Sequence, residues 1–145
     1  MARAGVGRDD LVLDLGAGTG ALTFPLAAVA GRVVAIERDQ KLARRLARRA
    51  PANVSVHERS IEDAWLPHRP FRVVANLPFA GSNAVIRRLL GVDRRLLLGA
   101  DLVVELGVAR KWQASTPIRC SLVCVLPPAV FVPPPRCRAA VLRIR

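Results

Sequence analysis

The apolar run Leu11-Val12-Leu13 leads straight into Asp14-Leu15-Gly16-Ala17-Gly18-Thr19-Gly20, and this junction constrains the fold more than any other stretch of the chain. Three alternate glycines at a strand end let the backbone turn tightly and come close to a ligand, because no Cβ stands in the way. The spacing is Gly-x-Gly-x-Gly and departs from the Gly-x-Gly-x-x-Gly of a dinucleotide site. Asp14 stands two residues before the first glycine, where a carboxylate repels a pyrophosphate and attracts an ammonium group. The combination favours S-adenosylmethionine as the ligand of a strand-helix-strand unit.

The next elements extend that unit. The alanine-rich stretch from Ala21 to Ala30 suits a helix packed on a sheet, provided that it begins late enough to leave Pro25 in its first turn. Gly31 ends it, and Arg32 to Ile36 reads as a buried second strand ending at Glu37. An acid at that strand end faces the same edge as the glycine loop, where its two oxygens accept both hydroxyls of a ribose. Glu37 is therefore the candidate ribose ligand, while Asp39 reads as a helix N-terminal charge favoured by the macrodipole. Gln40 to Ala50 is a helix with Lys41, Arg44, Arg45, Arg48 and Arg49 on one face and Leu42 and Leu46 on the other. That basic stripe reads either as a solvated face or as a contact to phosphates.

Asn53 to His57 is a third strand, followed by a polar loop from Glu58 to Pro70 in which Glu62 or Asp63 is placed to bond an adenine amine. The fourth strand, Phe71 to Ala75, runs into Asn76-Leu77-Pro78-Phe79. An asparagine at a strand end, then an x-Pro-aromatic turn, sets an amide oxygen and a main-chain carbonyl around a small hollow beside an aromatic face. Those are the parts needed to hold an exocyclic amine and stack its base. A helix over Ala80 to Leu90, capped near Ser82 or Asn83, comes next. A fifth strand around Asp101 to Glu105, a short helix over Val108 to Gln113, a sixth strand over Cys120 to Leu126 and a seventh over Ala139 to Ile144, hairpin-paired to the sixth, complete the chain. The expected fold is α/β and Rossmann-like, with a mostly parallel seven-stranded sheet and an antiparallel C-terminal strand.

Charge narrows the partner. A formal net charge of +12 points to a polyanion, nucleic acid ahead of an anionic membrane, because the stretch from Ala21 to Ala30 is too short to span a bilayer. Met1 to Asp10 has no apolar core of a signal peptide, and an odd count of three cysteines fits a reducing cytoplasm. Cys120 and Cys124 share a face in a regular strand; without Cys-x-x-Cys or paired histidines they read as buried thiols, and no metal site is expected. The expectation is one domain over residues 1–145, cytoplasmic and monomeric.

Taken together and in this order, the two stretches resemble the ribosomal RNA adenine N6-methyltransferases, the group of the Erm-type macrolide-resistance enzymes and the KsgA-type dimethyltransferases. Asp-Leu-Gly-Ala-Gly-Thr-Gly-Ala-Leu-Thr resembles the family's cofactor loop, Val-Val-Ala-Ile-Glu-Arg-Asp its ribose-binding strand end and Asn-Leu-Pro-Phe its catalytic tetrad. The tail from Phe131, Phe-Val-Pro-Pro-Pro, and the final Ala-Ala-Val-Leu-Arg-Ile are similar to the family's closing segment, so the likeness spans nearly the whole chain. The stretch Arg-Pro-Phe-Arg-Val-Val-Ala-Asn-Leu-Pro-Phe looks more Erm-like.

The resemblance implies that Asp14, Gly16, Ala17, Gly18 and Gly20, then Glu37 and Arg38, then Ser60, Ile61 and Asn76 hold S-adenosylmethionine. It also implies that Asn76 with Leu77 or Pro78 takes the hydrogens of an adenine amine in ribosomal RNA, 23S in the Erm-type reading. Phe79 and Phe131 would stack the base, and Arg110 and Lys111 would meet the RNA. The chain departs from the family where Ser60 stands for its adenine-binding Asp and Glu105 for a Gln. The family's N-terminal cofactor-closing segment and C-terminal helical domain have no counterpart in the 145 residues. The rival readings are a cofactor- or RNA-binding module without catalysis, and an adenine N6-methyltransferase acting on 16S rRNA or on DNA, the DNA enzymes sharing the tetrad.

Overall fold

The computed structural model describes residues 5–145, so the first four residues of the expected lead-in lie outside the described residues. Strand β1 (Leu11–Leu15) is buried at all five positions, as a parallel strand covered on both faces must be. It belongs to a seven-stranded sheet of order β3-β2-β1-β4-β5-β7-β6. β2 (Arg32–Glu37), β3 (Val54–Glu58), β4 (Phe71–Asn76) and β5 (Leu97–Glu105) extend it in parallel. β7 (Ala139–Ile144) runs antiparallel between β5 and β6 (Cys120–Leu126). The chain builds outward from β1 to β3 and then returns to β4 on the other side. The carboxyl ends of β1 and β4 thus flank the point where strand order reverses, which is where open α/β sheets bind ligands.

Two layers cover the sheet. Helices α1 (Thr23–Val29) and α2 (Gln40–Arg49) bury Leu26 and Leu46 against Val12, Val33 and Ala35. Helices α3 (Ser82–Leu90) and α4 (Leu106–Ser115), with Ile61 and Ala64 of the loop after β3, close the other face over Leu13, Phe71, Leu102 and Leu142. Pro25 is the third residue of α1, where its missing N–H is one that the first turn leaves unpaired anyway. No helix among the described residues is long and apolar enough to cross a membrane.

Several local expectations are corrected. Helix α3 is capped by neither Ser82 nor Asn83: its N-cap is Gly81, at φ 94°, without a side-chain cap. The Ser82 hydroxyl donates back to the Phe79 carbonyl (3.3 Å), and the Asn83 side chain accepts from Trp112 Nε1 (2.8 Å), tying α3 to α4. β5 begins at Leu97, well before Asp101, because pairing jumps from Phe71–Leu97 to Arg72–Gly99 and expels Leu98 as a bulge. α4 starts at Leu106, directly off the strand. A second register shift, between Leu122 and Cys124, pairs Cys120 with core-facing Ile144 but Cys124 with Val141, so the two thiols leave on opposite faces. Cys120 is the buried thiol and its pKa is raised by that burial; Cys124 is half-buried and Cys137 exposed.

Candidate active site

The glycine loop closes on itself at the end of β1. The amides of Gly16 and Ala17 both donate to the Ile36 carbonyl (2.9 Å each), and the Gly20 amide donates to the Ala17 carbonyl (2.9 Å). Gly16 has φ 79° and Gly20 φ 92°, backbone that side chains with a Cβ adopt only under strain. A Cβ on Gly20 would also lie 2.6 Å from the Phe24 ring and 2.7 Å from Leu46, so its hydrogen is a packing requirement.

Glu37 ties the second strand end to this loop. One carboxylate oxygen accepts the Gly18 amide (2.7 Å) and the other the Asp39 amide (2.8 Å). Each oxygen keeps a lone pair, and Glu37 still borders the hollow. Asp39 caps α2 by accepting the Leu42 amide (2.9 Å), the helix-start role read from the sequence. Asp14 lies beneath the loop, 1 % exposed, and is not among the residues that line the hollow. Its carboxylate accepts the Thr23 hydroxyl (2.6 Å). Burial pushes its pKa up to about 6; the Thr23 hydrogen bond opposes that shift and the Glu37 charge adds to it. Thr23 had no role in the sequence reading, although a buried acid at position 14 calls for a nearby donor.

Between the β1 and β4 tips lies a hollow of about 590 Å³, with Gly16, Glu37, Arg38, Ile61 and Glu62 on one wall and Asn76 to Gly81 on another. Phe131, Pro133 and Pro135 of the proline-rich segment, with Val103, Val104 and Ala139 at the ends of β5 and β7, complete the lining. A Cβ built on Gly16 would stand 3.7 Å from the Asn76 main-chain oxygen, so the two strand tips open onto one space. Asn76 is exposed, and its carboxamide makes no hydrogen bond among the described residues. The Leu77 amide donates to the Val103 carbonyl (3.0 Å), which prolongs the β4–β5 pairing and holds the tetrad in place. The Leu77 and Pro78 carbonyls accept nothing among the described residues, whereas that of Phe79 takes the Ser82 hydroxyl. Phe79 is 49 % exposed at the lip.

Other candidates from the sequence stand off the wall. Ala17 turns inward against Ala35 and Leu46. The Ser60 hydroxyl donates to the Asp63 carboxylate (2.9 Å), which occupies both side chains, and leaves Glu62 as the loop acid on the hollow. Arg110 and Lys111 are exposed on α4 away from the lining. Glu105 is the N-cap of α4 without a side-chain cap bond, and nothing in the structure explains its replacement of glutamine. The sequence reading missed Arg88 of α3, whose guanidinium donates to the carbonyls of Ile61 (3.5 Å), Glu62 (3.2 Å) and Ala64. It pins the loop that carries Ile61 and Glu62 to the hollow. Among the described residues no cluster of His, Cys, Asp or Glu could hold a metal ion.

A glycine loop and a second acidic strand end at the switch point of a 3-2-1-4-5-7-6 sheet define the class of Rossmann-like methyltransferases. The model of one family, ribosomal RNA adenine dimethylase, matches residues 2–145, and the chain belongs to that family. It is 33% identical to an rRNA adenine N-6-methyltransferase of Bacillus licheniformis over 98% of this chain and 54% of that protein. It is 32% identical to the ribosomal RNA small subunit methyltransferase A of a Synechococcus strain, over 92% of this chain and 54% of that one. The crystal structure of the 23S rRNA methyltransferase ErmE superposes with a TM-score of 0.86 at 26% identity, covering 99% of this chain and 64% of that chain. The chain thus spans about half the length of the curated relatives it matches.

Proposed function

We propose that the chain binds S-adenosylmethionine in the hollow and transfers its methyl group to the N6 amine of an adenine in ribosomal RNA. The observation that carries this reading is the unpaired Asn76 carboxamide, with the free carbonyls of Leu77 and Pro78, on the same hollow as Gly16. The charge of the walls supports it. In a chain of net charge +12, the hollow is lined by two carboxylates, Glu37 and Glu62, and one guanidinium, Arg38, a balance suited to a cation and hostile to a pyrophosphate. Glu37 would accept the ribose hydroxyls on its remaining lone pairs, Ile61 would flank the adenine and Glu62 would take the adenine amine in place of the engaged Ser60. Asp14 would act from beneath, holding the loop through Thr23.

When bound, the cofactor supplies an electrophilic methyl group on a sulfonium. The target amine is a weak nucleophile because its lone pair is delocalised into the purine ring. The Asn76 side-chain oxygen and the Leu77 or Pro78 carbonyl accept its two hydrogens and favour the pyramidal nitrogen that can attack. Phe79 stacks on the base once it has left its helix, and Phe131 covers the other face, replacing part of the lost stacking. Fixed acceptors and proximity supply the acceleration; the methylated nitrogen is cationic and strongly acidic and gives its surplus proton to water, so no strong base is required. Arg110 and Lys111 bind phosphates outside the hollow.

The finer reading is an adenine of 23S rRNA, as in macrolide-type resistance, supported by the likeness to ErmE and to the Bacillus relative. A small-subunit target is the second reading, favoured by the similar identity to the Synechococcus relative. Incubating the chain with methyl-labelled cofactor and 23S, 16S or duplex DNA, then mapping the label, tests all of this. Label on N6 of a 23S adenine is the expected result. Retention of cofactor and RNA without incorporation makes the chain a binding module and overturns the proposal.

A further inference from the structure

Helix α2 carries Lys41, Arg44, Arg45, Arg48 and Arg49 within ten residues and no acid. At the helical advance of about 100° per residue these five fall within an arc of about 140°, opposite the buried Ala43 and Leu46. The spacing sets like charges three and four residues apart, Lys41 against Arg44 and Arg45, and Arg48 against Arg44 and Arg45, each pair costing helix stability. Arg49 rests its guanidinium over the Phe24 ring, 5.1 Å from the centroid. Lys41, Arg44, Arg45 and Arg48 are exposed and have neither an ion pair nor a side-chain hydrogen bond among the described residues. Two arginines elsewhere are neutralised, Arg72 by Asp10 (3.1 Å) and Arg143 by Asp101 (2.6 Å). A face built for solubility alone is best served by both signs. This one keeps a single sign against its own repulsion.

Its place in the fold matters as much. α2 starts just after Glu37 and Arg38, which line the hollow, so the row of cations sets out from the rim of the site and runs back along the sheet. Lys41 to Arg48 spans about 10 Å, with neighbours about 5–6 Å apart, a spacing that lets successive side chains reach successive phosphates of one strand. Arginine suits the role because its planar fork meets phosphate oxygens bidentately.

We propose that α2 is a second RNA-contact surface, holding the phosphodiester backbone next to the target nucleotide through Lys41, Arg44, Arg45 and Arg48. The contact reads no sequence and serves to fix register at the hollow. This inference rests on the reading of the chain as an RNA adenine methyltransferase.

The test compares the parent with an Arg44→Gln/Arg45→Gln/Arg48→Gln variant and with a charge-matched control, Arg87→Gln/Arg94→Gln/Arg95→Gln, in filter binding of transcribed 23S rRNA fragments across a KCl series. Glutamine is a good helix former and relieves the repulsion, so the α2 variant stays folded; its melting temperature and its cofactor affinity check that. The expected result is an affinity at least tenfold lower at low salt, and a log K against log salt slope shallower by about 2, at about 0.7 per phosphate contact on a single strand. The control keeps the parental slope. An α2 variant with the parental slope, a control that loses as much, or an equal loss of binding to phosphatidylglycerol vesicles overturns the inference while leaving methyl transfer by the parent intact. A parent that neither binds nor methylates the RNA overturns the functional reading instead.

Discussion

A Cβ placed on Gly16 would lie 3.7 Å from the main-chain oxygen of Asn76, across the point where the sheet order reverses. The distance is ordinary van der Waals contact, so Gly16→Ala meets no clash there. Its cost comes from φ 79°, about 1–2 kcal/mol for a residue with a Cβ, and from a methyl group on the wall of the hollow. Urea denaturation is expected to register that loss of stability. Cofactor titration is expected to register an affinity about tenfold weaker, equivalent to about 1.4 kcal/mol. A variant as stable as the parent would mean that the loop relaxes to negative φ.

Asn76→Ala separates chemistry from folding. The side chain is exposed and without a hydrogen bond among the described residues, so stability is expected to change by less than about 0.5 kcal/mol. Transfer loses one of the two acceptors that shape the amine, and a fall of at least about a hundredfold in single-turnover rate is expected, by analogy with removing one oxyanion donor. Cofactor affinity stays near the parental value. Methylation at the parental rate would remove Asn76 from the proposed mechanism.

The burial of Asp14 sets the sign of a pH dependence. Its folded pKa of about 6 lies above its ordinary value of 3.8, so the native state holds the extra proton between those values. Stability from this group is therefore greatest below about pH 4 and declines as pH rises to about 6, by no more than about 3 kcal/mol. Asp14→Asn removes the titration, and its side-chain oxygen can still accept the Thr23 hydroxyl. The difference in unfolding free energy between parent and variant, followed from pH 4 to 7, is expected to change in the variant's favour as pH rises. A pH-independent difference would contradict the buried ionisation.

How much of this was legible in the sequence depends on whether the determinant was local. The glycine loop, the acidic end of β2 and Asn76 to Phe79 are contiguous runs, and the first four strands fall within a residue or so of where alternation and punctuation put them. The start of β5 and the face of Cys124 were not legible. Each depends on a bulge defined against a neighbouring strand, Leu98 against β4 and the Leu122–Cys124 shift against β7. The cap of α3 was misread for a related reason. Ser82 and Asn83 have capping chemistry, but Phe79 and Trp112 claim it in three dimensions. At the site, the family resemblance named Ser60, which stands where the family has its adenine-binding Asp, whereas the hydroxyl is turned to Asp63 and its neighbours Ile61 and Glu62 face the hollow.

Arg88 is the clearest case of a role hidden from pattern reading, and it yields the last prediction. Its partners are main-chain carbonyls 24 to 27 residues earlier, in a loop without regular pairing whose polar groups need donors from elsewhere. Arg88→Ala leaves three carbonyls to water and frees the loop that carries Ile61 and Glu62 to the hollow. Because the residue is exposed and its bonds only partly buried, a stability loss of about 2 kcal/mol is expected, less than three charged hydrogen bonds would total in a dry interior. The larger effect falls on the ligand. Cofactor affinity drops, while amide exchange accelerates in residues 59–66 and stays slow in β1 and β4. Arg88→Lys restores part of the protection, since an ammonium donates to fewer of the three carbonyls at once. Uniform acceleration across the sheet would instead make Arg88 a general stabiliser of α3, with no particular hold on the wall of the site.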